Sequence, residues 1–272
     1  MSITQDSPIG ILDSGMGGIS IWAEVVRQMP FEEVVYWADS AHCPYGGRSR
    51  EEITTLVRSG VSTLVEAGVK LIVVACNTAT TAAISTLRAE WTEMLFVGLE
   101  PAVKPAARET RSGVVGVLGT AYTVGSEMFR QTTERYATGI GVRVIATAGN
   151  GLVEAVEKGW EDAPETERLL RDYIEPMLAE GVDELVLACT HFPLLIPAIR
   201  RVLGDRPVRI VDPAPAIARH TAELLRERGL LTDRTSLGES RFIGSGTAAE
   251  TERLRKRAEQ YRKHLTEENL KH

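Results

Sequence analysis

Residues Leu71-Ile72-Val73-Val74-Ala75-Cys76-Asn77-Thr78-Ala79 and Leu185-Val186-Leu187-Ala188-Cys189-Thr190-His191-Phe192-Pro193 share one plan. Each is a short apolar run cut off by a cysteine, after which hydroxyl, amide or imidazole side chains follow at once. A short apolar run bounded by small polar residues reads as a strand buried on both faces of a parallel sheet. In open α/β sheets, ligands bind beyond the carboxyl ends of such strands. The pattern predicts strands over Leu71–Ala75 and Leu185–Leu187, each delivering a cysteine to a binding edge.

The likeness extends upstream. Ile9-Gly10-Ile11-Leu12-Asp13-Ser14-Gly15 finds an echo in Val115-Gly116-Val117-Leu118-Gly119-Thr120-Ala121, and each of these segments precedes its cysteine run by nearly the same distance. A duplicated α/β unit accounts for both coincidences. The expected fold is α/β, with two pseudo-symmetric flavodoxin-like domains built on mainly parallel sheets and the active site in the cleft between them. The economical layout puts residues 1–97 and 208–272 in one domain and 98–207 in the other. Two halves facing one ligand would set their cysteines on opposite sides of it, a geometry suited to stereochemical inversion.

Between these landmarks the chain alternates strand and helix signals. Ile21, Trp22, Val25, Val26 and Met29 have the spacing of an amphipathic helix over Ile19–Met29. Val34–Trp37 reads as a strand leading to Asp39, Pro44-Tyr45-Gly46-Gly47 as a turn, and a helix starts near Arg50. Further strands are expected over Val114–Leu118, Val142–Ile145, Val208–Val211 and at Phe242-Ile243. Helices are expected over Glu165–Glu180 and Pro215–Arg228, and a charged helix over the last 25 residues.

Composition narrows the class of protein. A chain of 272 residues with 43% hydrophobic and 25% charged residues is ordinary for a globular protein and long enough for two cores. No apolar stretch approaches the roughly 18 residues of a membrane span. The amino terminus lacks the basic start and apolar core of a secretory signal, so a cytoplasmic location is expected. A net charge of −6 argues against a nucleic-acid partner. Three cysteines without C-x-x-C or Cys/His ligand spacing suggest free thiols rather than a disulfide framework or a metal site.

One thiolate and one thiol make a base and an acid. A thiol near a helix amino terminus can ionise well below its ordinary range, and removing a proton from one face of an amino acid's Cα while returning one to the other inverts the centre. Asp13 and His191 stand where each could assist one cysteine. Ser14, Asn77, Thr78, Thr120, Thr123 and Thr190 supply neutral donors and acceptors for carboxylate and ammonium groups. Taken singly, a strand-end cysteine is more often a small buried hydrophobe; the pairing tips the balance toward catalysis. The Asp13-to-Gly18 loop matches neither nucleotide-binding glycine pattern, and Cys43, without a counterpart in the other half, is assigned no role.

The chain resembles the glutamate racemases of the aspartate/glutamate racemase superfamily over nearly its full length. The motifs that carry this are Asp13-Ser14-Gly15-x-Gly17-Gly18, Pro44-Tyr45-Gly46, Ala75-Cys76-Asn77-Thr78-Ala79, Glu100-Pro101, Gly119-Thr120-x-x-Thr123-x-x-Ser126, Cys189-Thr190-His191-Phe192-Pro193 and Asp212-Pro213-Ala214. The resemblance implies that Cys76 and Cys189 are the opposed acid/base pair, with Asp13, His191 and Glu157 as auxiliaries. It implies substrate contacts at Ser14, Tyr45, Gly46, Asn77, Thr78, Thr120, Thr123 and Thr190, glutamate as the small-molecule substrate, and no pyridoxal phosphate, metal or other cofactor. It further implies a supply of D-glutamate for peptidoglycan; a homodimer is a further expectation. The chain departs from the family at Ala148–Glu154, where Cys-Pro is usual, and at Phe192, where tyrosine is common. An aspartate racemase and a non-catalytic sensor of acidic amino acids are the competing expectations.

Overall fold

The computed structural model of the chain describes residues 3–269. The chain divides into two compact units, Met1–Leu99 with Ala214–His272, and Glu100–Pro213. The first unit opens with β1 (Ile9–Asp13), α1 (Ile19–Gln28), β2 (Val34–Ala38), α2 (Arg50–Glu66), β3 (Leu71–Val74), α3 (Asn77–Glu90) and β4 (Leu95–Gly98). The second holds α4 (Val103–Glu109), β5 (Val114–Gly119), α5 (Ala121–Val124), α6 (Glu127–Tyr136), β6 (Arg143–Ala148), α7 (Leu152–Lys158), α8 (Pro164–Ala179), β7 (Glu184–Ala188), α9 (Ile196–Leu203) and β8 (Arg209–Val211). The chain then returns to the first unit with α10 (Ala214–Glu227), β9 (Ser240–Gly244) and α11 (Ala248–Asn269). The charged carboxyl-terminal helix is α11; residues 270–272 of that expectation lie outside the described residues.

Both sheets are parallel throughout, in the orders β4-β3-β1-β2-β9 and β6-β5-β7-β8. Replacing β1, β2, β3 and β4 by β5, β6, β7 and β8 turns one order into the other, so the duplication read from the sequence is a duplication of topology. It is the doubly wound flavodoxin-like order, whose binding edge lies beyond the carboxyl ends of the central strands. β9 is the extra strand of the first sheet, paired with β2 from Val34↔Ser240 to Ala38↔Gly244.

The first sheet is covered on both faces, which is why every residue of β1, β2 and β3 is buried. On α2 the buried positions Ile53, Val57, Val61 and Leu64 form one helical stripe. Gly60 shares that face, and a Cβ built on it would lie 2.6 Å from the indole of Trp37 on β2. A side chain at 60 would therefore hold α2 away from its sheet. The helix starts at Ser49, whose side chain caps the Glu52 N–H while Glu52 answers to the Ser49 N–H.

In the second unit Val115, Val117, Val186 and Ala188 of β5 and β7 form a core with Val103, Ala106, Phe129 and Ala137. The expected layout gives residues from 208 onward to the first domain, yet β8 pairs with β7 through Leu185↔Ile210 and Val186↔Val211, so the chain changes unit only after Pro213. The strand expected over Val142–Ile145 runs instead from Arg143 to Ala148, because an edge strand with no buried residue carries too little apolar signal to mark its end. Among the described residues, no helix is long and apolar enough to cross a membrane.

Candidate active site

In the first unit the chemistry-bearing residues follow the carboxyl ends of β1, β2 and β3. Asp13, fully buried, closes β1 and accepts the Gly15 N–H at 2.8 Å, folding the glycine loop back on the strand. The loop runs so close to the strand that a Cβ on Gly18 would stand 2.9 Å from that of Asp13 and 2.7 Å from the Tyr36 hydroxyl. β3 delivers Cys76, 5% exposed, as the residue capping α3: its Sγ accepts the Ala79 N–H at 3.4 Å and lies 3.5 Å from Ser14 Oγ. The positive end of the helix dipole is thus aimed at the sulfur, an arrangement that favours its anionic form. Asn77 and Thr78 are buried in the first turn of α3. Asn77 Nδ2 donates to Leu99 O at 3.5 Å, whereas its Oδ1 is buried without a hydrogen-bond partner.

Beyond β2 the loop carrying Tyr45 and Gly46 is fastened by Asp39. The Tyr45 hydroxyl donates to Asp39 Oδ2 at 2.6 Å, His42 Nδ1 lies 2.7 Å from Oδ1, and Ser245 Oγ donates to the same oxygen. Burial drives the Tyr45 hydroxyl pKa upward, and the charges of Asp39, Cys76 and Asp13 add to the effect, so the phenol stays neutral as a donor. Asp39, His42 and Ser245 are not among the residues expected from the sequence. Asp39 had a usable signal, since it ends an apolar strand as Asp13 does; Ser245 had none, being brought in by β9 from the far end of the chain.

In the second unit Cys189, 6% exposed, follows β7 as Cys76 follows β3. Its sulfur lies 3.9 Å from His191 Nδ1, and the other ring nitrogen, Nε2, lies 2.7 Å from Glu157 Oε1. A carboxylate at Nε2 holds the proton there and leaves Nδ1 to face the thiol as an acceptor. Glu157 reaches this position from the last turn of α7, while Glu154 points to solvent three residues earlier. The atypical 148–154 stretch thus ends β6, turns at Gly151 with φ +84°, and starts α7. Thr120 caps α5 by accepting the Thr123 N–H at 3.2 Å and donates to the Thr123 hydroxyl at 2.9 Å. Thr190 is buried beside Cys189. Phe192, fully buried, opens a 3₁₀ turn, Phe192–Leu195.

The expected residues therefore fall into two sets: Asp13, Ser14, Tyr45, Gly46, Cys76, Asn77 and Thr78 in one unit, and Thr120, Thr123, Glu157, Cys189, Thr190 and His191 in the other. Residues 11–221 match the model of the family described as Asp/Glu/Hydantoin racemase. The chain belongs to that family. A glutamate racemase of Roseiflexus sp. (strain RS-1) is 46% identical over 254 residues, 93% of this chain and 92% of that protein. The crystal structure of glutamate racemase isoform RacE1 from Bacillus anthracis superposes with a TM-score of 0.82 at 33% identity, covering 93% of this chain and 94% of its own. The Escherichia coli glutamate racemase, solved with L-glutamate and the activator UDP-MurNAc-ala, superposes with a TM-score of 0.81 at 31% identity, covering 94% and 95%.

Proposed function

We infer that this chain interconverts L-glutamate and D-glutamate by two-thiol acid/base catalysis, with Cys76 and Cys189 as the two groups and no added cofactor. The observation that carries the reading is the repeated placement of a buried thiol. β3 and β7 hold the same position in two sheets of the same order, and each is followed by a buried cysteine. Binding alone calls for no such pair. Inversion at Cα does: one thiolate takes the proton from one face, breaking C–H and forming S–H, and the other thiol gives its proton to the opposite face. The reverse reaction exchanges the roles.

Asp13 assists Cys76, and His191 assists Cys189 through Nδ1, with Glu157 fixing the imidazole and balancing its positive charge. Ser14, Tyr45, Gly46, Asn77 and Thr78 bind substrate from the first unit, Thr120, Thr123 and Thr190 from the second. The buried Asn77 Oδ1 supports a substrate ammonium as its donor, since an unsatisfied buried acceptor costs about 1–3 kcal/mol. The product serves peptidoglycan synthesis. Acid/base thiols must remain reduced, which places the activity in the cytoplasm. A homodimer is part of the same proposal, and light scattering of the purified protein reads its mass directly.

The test is a substrate panel followed by circular dichroism. Both enantiomers of glutamate are expected to lose their signal, and both enantiomers of aspartate to persist under the same conditions. Equal turnover of aspartate would overturn the substrate assignment; inert glutamate would overturn the reading as a whole.

A further inference from the structure

Thr80 lies one turn into α3, 1% exposed, and makes no contact that the proposed chemistry uses. Its hydroxyl extends the pairing of β3 with β4, which runs as far as Val74↔Gly98, into the turn beyond the strands. Oγ1 donates to Val74 O, the last carbonyl of β3, at 3.0 Å, and accepts the Leu99 N–H, just beyond β4, at 2.9 Å. Its backbone N–H donates to Cys76 O at 2.8 Å. Leu99 O in turn receives the Asn77 amide. One buried side chain therefore fixes both sides of the turn that contains Cys76: the strand before it and the helix turn after it. The corresponding position after Cys189 is Pro193, which has no hydroxyl, so this pin belongs to one half alone.

We propose that Thr80 is a positioning residue that sets the direction of the Cys76 sulfur. The proposal rests on the two-thiol reading. Neither Val74 O nor Leu99 N can reach water in place of the Thr80 hydroxyl without opening the buried turn, so removing the hydroxyl loosens the strand-to-helix junction. Misplacing a proton-transfer group by a fraction of an ångström slows its step while leaving the partner thiol untouched. The consequence is directional. From the enantiomer that Cys76 deprotonates, C–H cleavage becomes the slow step. From the other enantiomer, Cys76 acts second, as the acid, and C–H cleavage by Cys189 becomes less rate-limiting.

Thr80→Val keeps the shape and removes the hydroxyl; Thr80→Ser keeps the hydroxyl and removes a methyl. With Cα-deuterated substrates, Thr80→Val is expected to lower kcat about 10- to 100-fold, to raise the primary isotope effect for one enantiomer and to lower it for the other. Thr80→Ser should restore both quantities toward wild type. A second readout needs no turnover: peptide mass spectrometry after timed alkylation should show the Cys76 rate changed at least about threefold in Thr80→Val and the Cys189 rate unchanged. Isotope effects that move together or not at all, a kcat within twofold of wild type, or equal alkylation changes at both thiols would overturn the role of Thr80. Failure of the wild-type protein to racemise glutamate would instead strike the two-thiol reading, with the alkylation comparison still deciding whether Thr80 governs Cys76.

Discussion

Each cysteine is held by different means. The Cys76 sulfur caps a helix and receives a backbone N–H, whereas the Cys189 sulfur faces an imidazole whose far nitrogen is tied to Glu157. Cys76→Ala and Cys189→Ala are each expected to lower racemisation by at least about a thousandfold, since the proposed mechanism relies on one thiol for each face of Cα. Near wild-type rates in either variant would contradict that. Glu157→Gln keeps an oxygen for the imidazole N–H but removes the charge that balances His191 when it takes up a proton; kcat is expected to fall about tenfold with KM little changed, read from initial rates in both directions. Most of these residues were legible in the sequence because strand-end polar residues announce themselves after an apolar run, as at Asp13, Cys76 and Cys189. Glu157 came from resemblance alone, and the structure brings it to His191 from 34 positions away in the chain. Asp39 and His42 stand three residues apart, but Ser245 joins them only through the pairing of β9 with β2, a long-range contact that no local pattern encodes.

At the scale of elements, close approach and local capping set the placements. Gly60→Ala would gain helix propensity worth about 1 kcal/mol yet drive a methyl into the Trp37 ring. A net loss of about 1–3 kcal/mol in unfolding free energy is expected from overpacking, measured by urea denaturation. A stabilised variant would show that α2 has room to shift. Asp183, ahead of β7, accepts the Thr110 hydroxyl and the N–H groups of Arg111 and Ser112, tying the segment before β5 to it. Burial pushes its pKa up, but those hydrogen bonds outweigh it and leave the carboxyl below its ordinary 3.8. A depressed folded-state pKa stabilises the protein above the unfolded value, and the contribution is lost as pH falls through the folded value. Asp183→Asn should therefore be less stable than wild type near neutral pH, with the gap closing below about pH 3.8. A gap that is constant with pH would contradict the assignment. The central strands were legible because burial on both faces makes them continuously apolar. β4, α4, α5 and α6 were not, because they are short and lie on half-exposed surfaces where periodicity fades.

For the whole molecule, the repeated strand order matches the two similar sequence motifs: each unit carries a buried thiol directly after the equivalent strand of its sheet. Because the enantiomers of glutamate are equal in free energy, kcat/KM must be the same from either side, and a change in one unit must lower both directions equally. Unequal losses in kcat/KM would mean that the measured process is not a simple racemisation. The doubled α/β fold was legible through the repeat; the position of β8 was not, because a late strand can complete either sheet until pairing is known. If two thiols exchange the Cα proton of glutamate without an added cofactor, proton NMR of L-glutamate and, separately, D-glutamate with the purified protein in D₂O will record the exchange. Loss of the Cα–H signal together with decay of optical activity from both enantiomers is the predicted result. An unchanged Cα–H signal from both, with the protein folded and its thiols reduced, would contradict it.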